Sequence, residues 1–389
     1  MLRRSPHRTG CACGKSDIPH KPNNPASGSM RIVFLSTSVG PLGSGIGGGV
    51  ELTLRTLAHG LSLRGHHVTV VAPRGSVIDR ADADGPRLIE VDGELHVPSQ
   101  TLARSAELAV PRNSVLVNMW QVVVQLVASE HHDIVLNFAY DAHPFVHARE
   151  CTVPTAHLVS MGSLSDEMDR AVLSAVRTSP RSVAMHSKAQ ADTFGAEIST
   201  ATTIVSGGVN LDAYEFVAQP TDDLALVARI SREKGIVDGF EVAERSGRRL
   251  RVFGVMEDEA AWDEAKAMHP RAQVEHVGFL STNELQSALG RCAALIMVHR
   301  WVEAFGNVAV EALACGVPVI TYDRGGPAEI VRDGVTGFVV PPDRPDEVAA
   351  AVAKIGSIDR GRCRAEALER FSAPAFAHRV EDWLRGQLA

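Results

Sequence analysis

Residues 301–331 read WVEAFGNVAVEALACGVPVITYDRGGPAEIV, and this stretch decides the fold because a helix start, a buried strand and a second glycine turn follow one another in it. Glu303 and Glu311 stand eight residues apart, with Gly306 and Asn307 between them where an apolar helix from about Asn307 to Cys315 begins. A helix start presents backbone N–H groups that have no partner inside the helix, together with the positive end of its dipole. Phe305, Gly306, Asn307 and Val308 therefore suit an anion such as a pyrophosphate. Glu303 precedes the helix and Glu311 lies one turn inside it, so the two carboxylates address different hydroxyl groups of one extended ligand. Gly316 and Pro318 close the helix, and VPVITYD is the buried strand that follows. Gly325 and Gly326 then turn the chain into another helix opened by Glu329. One such glutamate alone reads as a solvated charge, whereas the whole constellation reads as a site for a nucleotide sugar.

The chain has 389 residues, more than the roughly 50 to 250 of a usual single domain, and 45% of them are hydrophobic, so two domains with separate cores are expected. A net charge of −7 and a pI near 6.1 argue against nonspecific attraction to nucleic acid or anionic membranes. No apolar run reaches the length of a membrane span or has the form of a secretory leader, which points to the cytoplasm. Six cysteines, at 11, 13, 151, 292, 315 and 363, lack the paired spacing of a structural zinc site and read as reduced thiols.

Residues 1–29 are rich in Pro, Ser, Asn and basic groups and are expected to be a disordered leader, with Met30 as a candidate true start. RIVFLST is a parallel-strand pattern. The loop GPLGSGIGGGVE then leads into the helical LTLRTLAHGLSLRG, giving strand, glycine loop and helix. The loop carries six glycines, which let backbone amides approach a phosphate, although it does not match the dinucleotide fingerprint. HHVTVVAP is the second strand, and residues 79–100 are polar and irregular enough to read as loops with short strands. After a helix near Val115 to Glu130 comes the strand DIVLNFA, with Tyr140, Asp141 and His143 at its carboxyl end. VPTAHLVSMGS repeats this arrangement and is expected to place His157, Ser160 and Met161 just past another strand. Ligands of open α/β sheets bind at such ends. Short strands in SVAMHS and TTIVSGGVN complete an N-terminal domain, and Gln219 to Asp223 is the linker. LALVARI opens a second series, with Arg229 at the strand end and Lys234 before the helix GIVDGFEVAERSG, a pair suited to clamping a diphosphate. The segments LRVFGV, VEHVGFL, AALIMVH, VPVITYD and GFVVPP supply further strands.

These blocks carry a family resemblance over about residues 30–389. GGGVELTLRTLAHGLSLRGHHVTVVAP, ARISREKG and EAFGNVAVEALACGVPVITYDRGGPAEIV followed by RDGVTGFVVPP resemble the family 4 retaining glycosyltransferases. Within them STSVGPLGSGIGGGVELT, LNFAYD, AHLVSMGSLSDEMD and GFLSTNELQSALGRC are most similar to the UDP-glucose:tetrahydrobiopterin glucosyltransferases. The resemblance implies an α/β fold of two facing Rossmann-like domains, the glycosyltransferase-B architecture, with an interdomain cleft. It divides the chain into an acceptor-binding domain over 30–217, a nucleotide-sugar-binding domain over 218–372 and a C-terminal helix over 373–389 packing back toward the first domain. It also implies roles. Glu311 binds the ribose hydroxyls of the donor and Glu303 the transferred sugar. Arg229 and Lys234 hold the diphosphate beside the amides of Gly306 and Asn307. Gly48 and Gly49 close over the phosphates, and His157 faces the reacting sugar. Asn137, Tyr140, Asp141, Ser160 and Met161 are acceptor candidates. One departure stands out: where many relatives have an Asn-Gly-Val turn, this chain reads SGGVN, with Gly207 before Gly208.

The expected reaction is glucose transfer from UDP-glucose to a small acceptor, a pterin, with neither metal nor cofactor, since cations and a helix start supply the charge stabilisation. Another nucleotide sugar and another acceptor (lipid, glycan or natural product) remain an alternative. So do an epimerase and a nucleotide-sugar sensor without turnover. A phosphorylase would need Lys234, Lys266 or Lys354 to carry pyridoxal phosphate.

Overall fold

The computed structural model describes residues 28–78, 85–98, 102–106 and 110–389, so the expected leader and its Cys11–Cys13 pair lie outside the described residues. Two parallel sheets organise the chain. The first comprises β1 (Arg31–Leu35), β2 (His67–Pro73), β3 (Arg87–Val91), β4 (Ile134–Asn137), β5 (Thr155–Val159), β6 (Val183–Met185) and β7 (Thr203–Ile204), in the order β3-β2-β1-β4-β5-β6-β7. The second comprises β8 (Leu224–Val227), β9 (Leu250–Phe253), β10 (Val274–Gly278), β11 (Ala294–Met297), β12 (Val319–Tyr322) and β13 (Gly337–Val340), in the order β10-β9-β8-β11-β12-β13. The central strands are near-continuous apolar runs because helices cover both faces, as parallel sheets require.

Both orders reverse at one place, between β1 and β4 in the first sheet and between β8 and β11 in the second. At such a switch point the loops leaving neighbouring strands diverge to opposite faces and open a crevice. The glycine loop follows β1 and Asn137–Asp141 ends β4, while Arg229 and Lys234 follow β8 and Glu303 follows β11. These four segments therefore lie at the two switch points.

Chain crossing ties the domains together. The backbone N–H of Val209 donates to the Phe371 carbonyl at 2.8 Å, and the helix Ala373–Leu388 returns to the first domain. There Phe376, Val380 and Leu384 join Leu54, Leu57 and Leu61 in one core. Gly60 permits the approach, since a Cβ there would lie 2.8 Å from the Ala373 carbonyl oxygen. Glu381 anchors the same helix through Arg64, His66 and Arg385. Burial pushes its carboxyl up, but those three partners outweigh it and hold the group down at about 2.

Candidate functional site

In the second domain β11 leads through residues 298–306 to the helix Asn307–Ala314. Gly306 caps it in the left-handed region, φ 95°, where a Cβ would meet the Pro327 ring at 2.7 Å. Only glycine fits both demands. Just before the cap, Lys234 Nζ and the Trp301 indole N–H both donate to Glu303 Oε2, each at 2.8 Å. The Lys234 ammonium also lies 4.4 Å from the centre of the Trp301 ring, a cation–π contact. Burial by itself pushes the Glu303 carboxyl up. The charge and hydrogen bond of Lys234, with His299 and Trp301, outweigh it and hold the group below the ordinary carboxylate range.

Glu311, inside the helix, contrasts with it. Burial pushes this carboxyl up to about 7, against a smaller opposing pull from the neighbouring Tyr214 hydroxyl. An acid kept in so dry a place is recovered when hydroxyl donors arrive to share its charge. The structure thus brings Lys234, Trp301 and Glu303 into one cluster beside the starting turn that carries Phe305, Asn307 and Val308. Arg229 is engaged elsewhere. It pairs at the surface with Glu257 and, at 3.5 Å, with Glu233.

The glycine loop holds a residue that sequence reasoning missed. Glu51, in the first turn of the helix Gly49–Leu63, is 4% exposed and turns back into the loop. Its Oε2 accepts from the amides of Gly43 (2.7 Å) and Gly45 (3.2 Å), and its Oε1 from Gly47 (2.6 Å) and the Ser44 hydroxyl (3.3 Å). Those amides serve the chain's own carboxylate rather than standing ready for a phosphate. Gly48 and Gly49 lie past this nest at the helix start, where Asn307 Nδ2 donates across the cleft to the Gly49 carbonyl at 3.4 Å.

On the first domain's wall, His157 lies inside β5 rather than just past it. It is 2% exposed, stacks on Phe145 at 3.9 Å, and takes a 3.2 Å hydrogen bond from Asn137 at Nδ1. Burial pushes its pKa down to about 3, so it is neutral at physiological pH. The strand run AHLV hid this, because a neutral imidazole packs as an apolar ring. Tyr140 donates its hydroxyl to the Gly162 carbonyl at 2.9 Å and accepts from Leu164 N–H at 3.1 Å. Asp141 accepts from His143 N–H at 2.9 Å and pairs with His96 Nδ1 at 3.0 Å, while His96 Nε2 meets Ser114 Oγ at 2.7 Å. Ser160 Oγ donates to His186 Nε2 at 3.0 Å, and the Met161 carbonyl accepts from Gln190 at 2.9 Å. His96 lies in a stretch with no periodicity, so no sequence signal pointed to it.

Fold and cleft together define the glycosyltransferase-B architecture. Residues 217–372, the second domain, match the family described as Glycosyl transferases group 1. Over 86 residues the chain is 46% identical to sucrose synthase 6 of Arabidopsis thaliana, a match covering 21% of this chain and 9% of that protein. Over 96 residues it is 36% identical to the D-inositol 3-phosphate glycosyltransferase of Mycolicibacterium gilvum, covering 25% of this chain and 22% of that one. The chain thus spans less than a quarter of the length of either curated relative. Among solved structures, Anabaena HepE in complex with UDP superposes with a TM-score of 0.69 at 19% identity, covering 92% of this chain and 100% of that one.

Proposed function

We propose that this protein is a retaining glycosyltransferase that moves glucose from UDP-glucose to a small pterin acceptor of the tetrahydrobiopterin kind. The observation that carries the donor half is the Lys234–Trp301–Glu303 cluster set against a glycine-capped helix start, with the buried Glu311 on the same helix. HepE, similar in fold, is described in complex with UDP and with UDP-glucose, which supports that donor. In this reading Glu311 accepts from the ribose hydroxyls and Glu303 from the sugar. Lys234, the amides of Gly306, Asn307 and Val308, and Arg229 once drawn from its surface acids, take the diphosphate. Gly48 and Gly49 approach it from the first domain.

The acceptor hydroxyl oxygen forms the new bond to the anomeric carbon as the bond to the UDP oxygen breaks. UDP leaves with the electron pair, and the acceptor proton passes to the departing diphosphate on the same face. Negative charge accumulates on that leaving group. Each preorganised cation or amide aimed at it contributes on the order of a few kcal/mol, so several together are an adequate source of acceleration. Closure of the cleft excludes water, which would otherwise take the sugar.

The pterin rests on the sequence blocks shared with tetrahydrobiopterin glucosyltransferases. In this reading it sits at the carboxyl ends of β4 and β5, where Asn137, Tyr140, Asp141, Ser160 and Met161 lie, with His157 buried inside β5. Four described cysteines are free thiols, in keeping with the cytoplasm, and no helix among the described residues is long and apolar enough to cross a membrane. The test is mass spectrometry of products after incubation with UDP-glucose and tetrahydrobiopterin. A pterin hexoside made by the wild type and absent with Glu311→Ala is the expected result. UDP release without a pterin product sends the search to other acceptors, and no UDP binding at all removes the donor reading.

A further inference from the structure

Glu303 is positioned by more than its own domain. Its backbone lies on the Gly325–Gly326 turn: Gly326 N–H donates to the Glu303 carbonyl at 2.8 Å, and a Cβ on Gly325 would fall 2.6 Å from that oxygen. The next residue, Ala304, accepts at 2.7 Å from the hydroxyl of Ser187, which belongs to the first domain and follows β6. Phe305 then seats its ring on Gly207, where a Cβ would come within 2.5 Å of a ring carbon, and lies between His186 and Phe371 at 5.8 and 6.0 Å. The unusual glycine in SGGVN has its reason here, since a side chain at 207 would collide with Phe305.

The turn beneath Glu303 is held from the first domain as well. Glu329, at the end of the short helix Gly326–Ile330, accepts from the backbone N–H groups of Lys188 (3.0 Å) and Ala189 (2.8 Å). Ser187 Oγ also accepts from Gln190 N–H at 3.0 Å, so one hydroxyl caps its own helix and grips the other domain. Residues 186–189 and 207 of the first domain thus hold both layers that set the place of Glu303, its own segment and the turn below it.

We propose that Ser187 and Glu329 are positioning residues that reference Glu303, and the sugar it contacts, to the first domain's wall, so that donor and acceptor meet in register. This rests on the reading of Glu303 as the sugar contact. Glu311 and the helix start at Gly306–Val308, which hold the UDP portion in that reading, lie past the linked segment 303–305, and the cap is seated on Pro327 of the second domain itself. Removing the link therefore misplaces the reacting centre while leaving nucleotide binding intact, and small misplacements at a reacting centre are costly.

The test uses the full chain as wild type, Ser187→Ala, Ser187→Thr and Glu329→Gln. UDP affinity is read by calorimetry, kcat and KM by UDP release from UDP-glucose with tetrahydrobiopterin as acceptor, and local order by amide hydrogen exchange over residues 301–308, with 301–305 and 306–308 read separately. Expected are a fall in kcat of roughly tenfold or more for Ser187→Ala and Glu329→Gln, UDP affinity within about twofold of wild type, and faster exchange over 301–305 with 306–308 unchanged. Ser187→Thr keeps the hydroxyl and stays near wild-type turnover. Variants that match a turning-over wild type overturn this inference alone. So does a parallel loss of kcat, UDP affinity and melting temperature, the mark of a general structural role. A wild type that binds no UDP overturns the donor site and this inference together.

Discussion

The two crevices are built on one plan and finished differently. After β1, Gly48 (φ 56°) caps the helix Gly49–Leu63; after β11, Gly306 (φ 95°) caps the helix Asn307–Ala314. The third residue of the first helix is Glu51 and that of the second is Ala309. The Glu51 carboxylate reaches back past the cap to the loop amides of Gly43, Gly45 and Gly47, whereas the alanine at the same position of the second helix has no acid to turn back toward its own loop. Glycine richness alone therefore does not mark a phosphate cradle, since three of the six glycine amides of the first loop answer to Glu51.

The difference is sharpest if the two buried glutamates are removed in turn. If Glu311 accepts from the ribose hydroxyls as proposed, Glu311→Ala takes that acceptor away, and hydrogen bonds to a charged group contribute about 1.5–3 kcal/mol each. UDP affinity by calorimetry should fall by roughly a hundredfold or more. Glu51→Ala should act on the fold instead. It strands three glycine amides, at a cost on the order of 3 kcal/mol in urea denaturation, with UDP affinity changing by less than about tenfold. If Glu51→Ala weakened UDP as much as Glu311→Ala while leaving stability alone, the glycine loop would be the cradle after all and the comparison would fail.

Much of this plan is legible before any coordinates, because a parallel strand buried on both faces writes a continuous apolar run and a helix start writes a glycine. β1, β4, β8 and β11 show that way, and with them the crevices at their ends. What escapes is contact that no local pattern encodes. Glu51 reads as any acid in a first helical turn, since nothing in GGGVELT says that its side chain points backward. His96 reaches Asp141 across 45 residues, and Glu329 reaches Ala189 across 140. His157 was misplaced for the opposite reason: the pattern was right, and burial made a polar residue behave as an apolar one. Gly207 reads as a harmless exchange until Phe305 is seen lying on it.

The smallest effect tests the electrostatics of the second helix start. Burial raises the Glu311 carboxyl from 4.5 to about 7, so its proton is held more tightly in the folded protein than in the unfolded chain. The folded state is then favoured most below the ordinary carboxylate range, and it loses up to about 3 kcal/mol as pH climbs through 7. Donor binding has the opposite sign. In the proposed donor site ribose hydroxyls donate to the ionised form, so below pH 7 the ligand must first expel a proton, and UDP-glucose affinity should rise by roughly tenfold from pH 6 to pH 8. UDP-glucose is the right probe because its diester diphosphate does not titrate in that interval. Glu311→Gln should bind more weakly, show a flat profile, and be more stable than wild type at pH 8 when free of ligand. Glu51 is turned into the first domain's glycine loop, away from Glu311, so Glu51→Gln should leave the slope of the binding profile in place. A flat wild-type profile would mean that Glu311 is already ionised in the empty cleft, and the contrast between the two glutamates would then rest on hydrogen bonds alone.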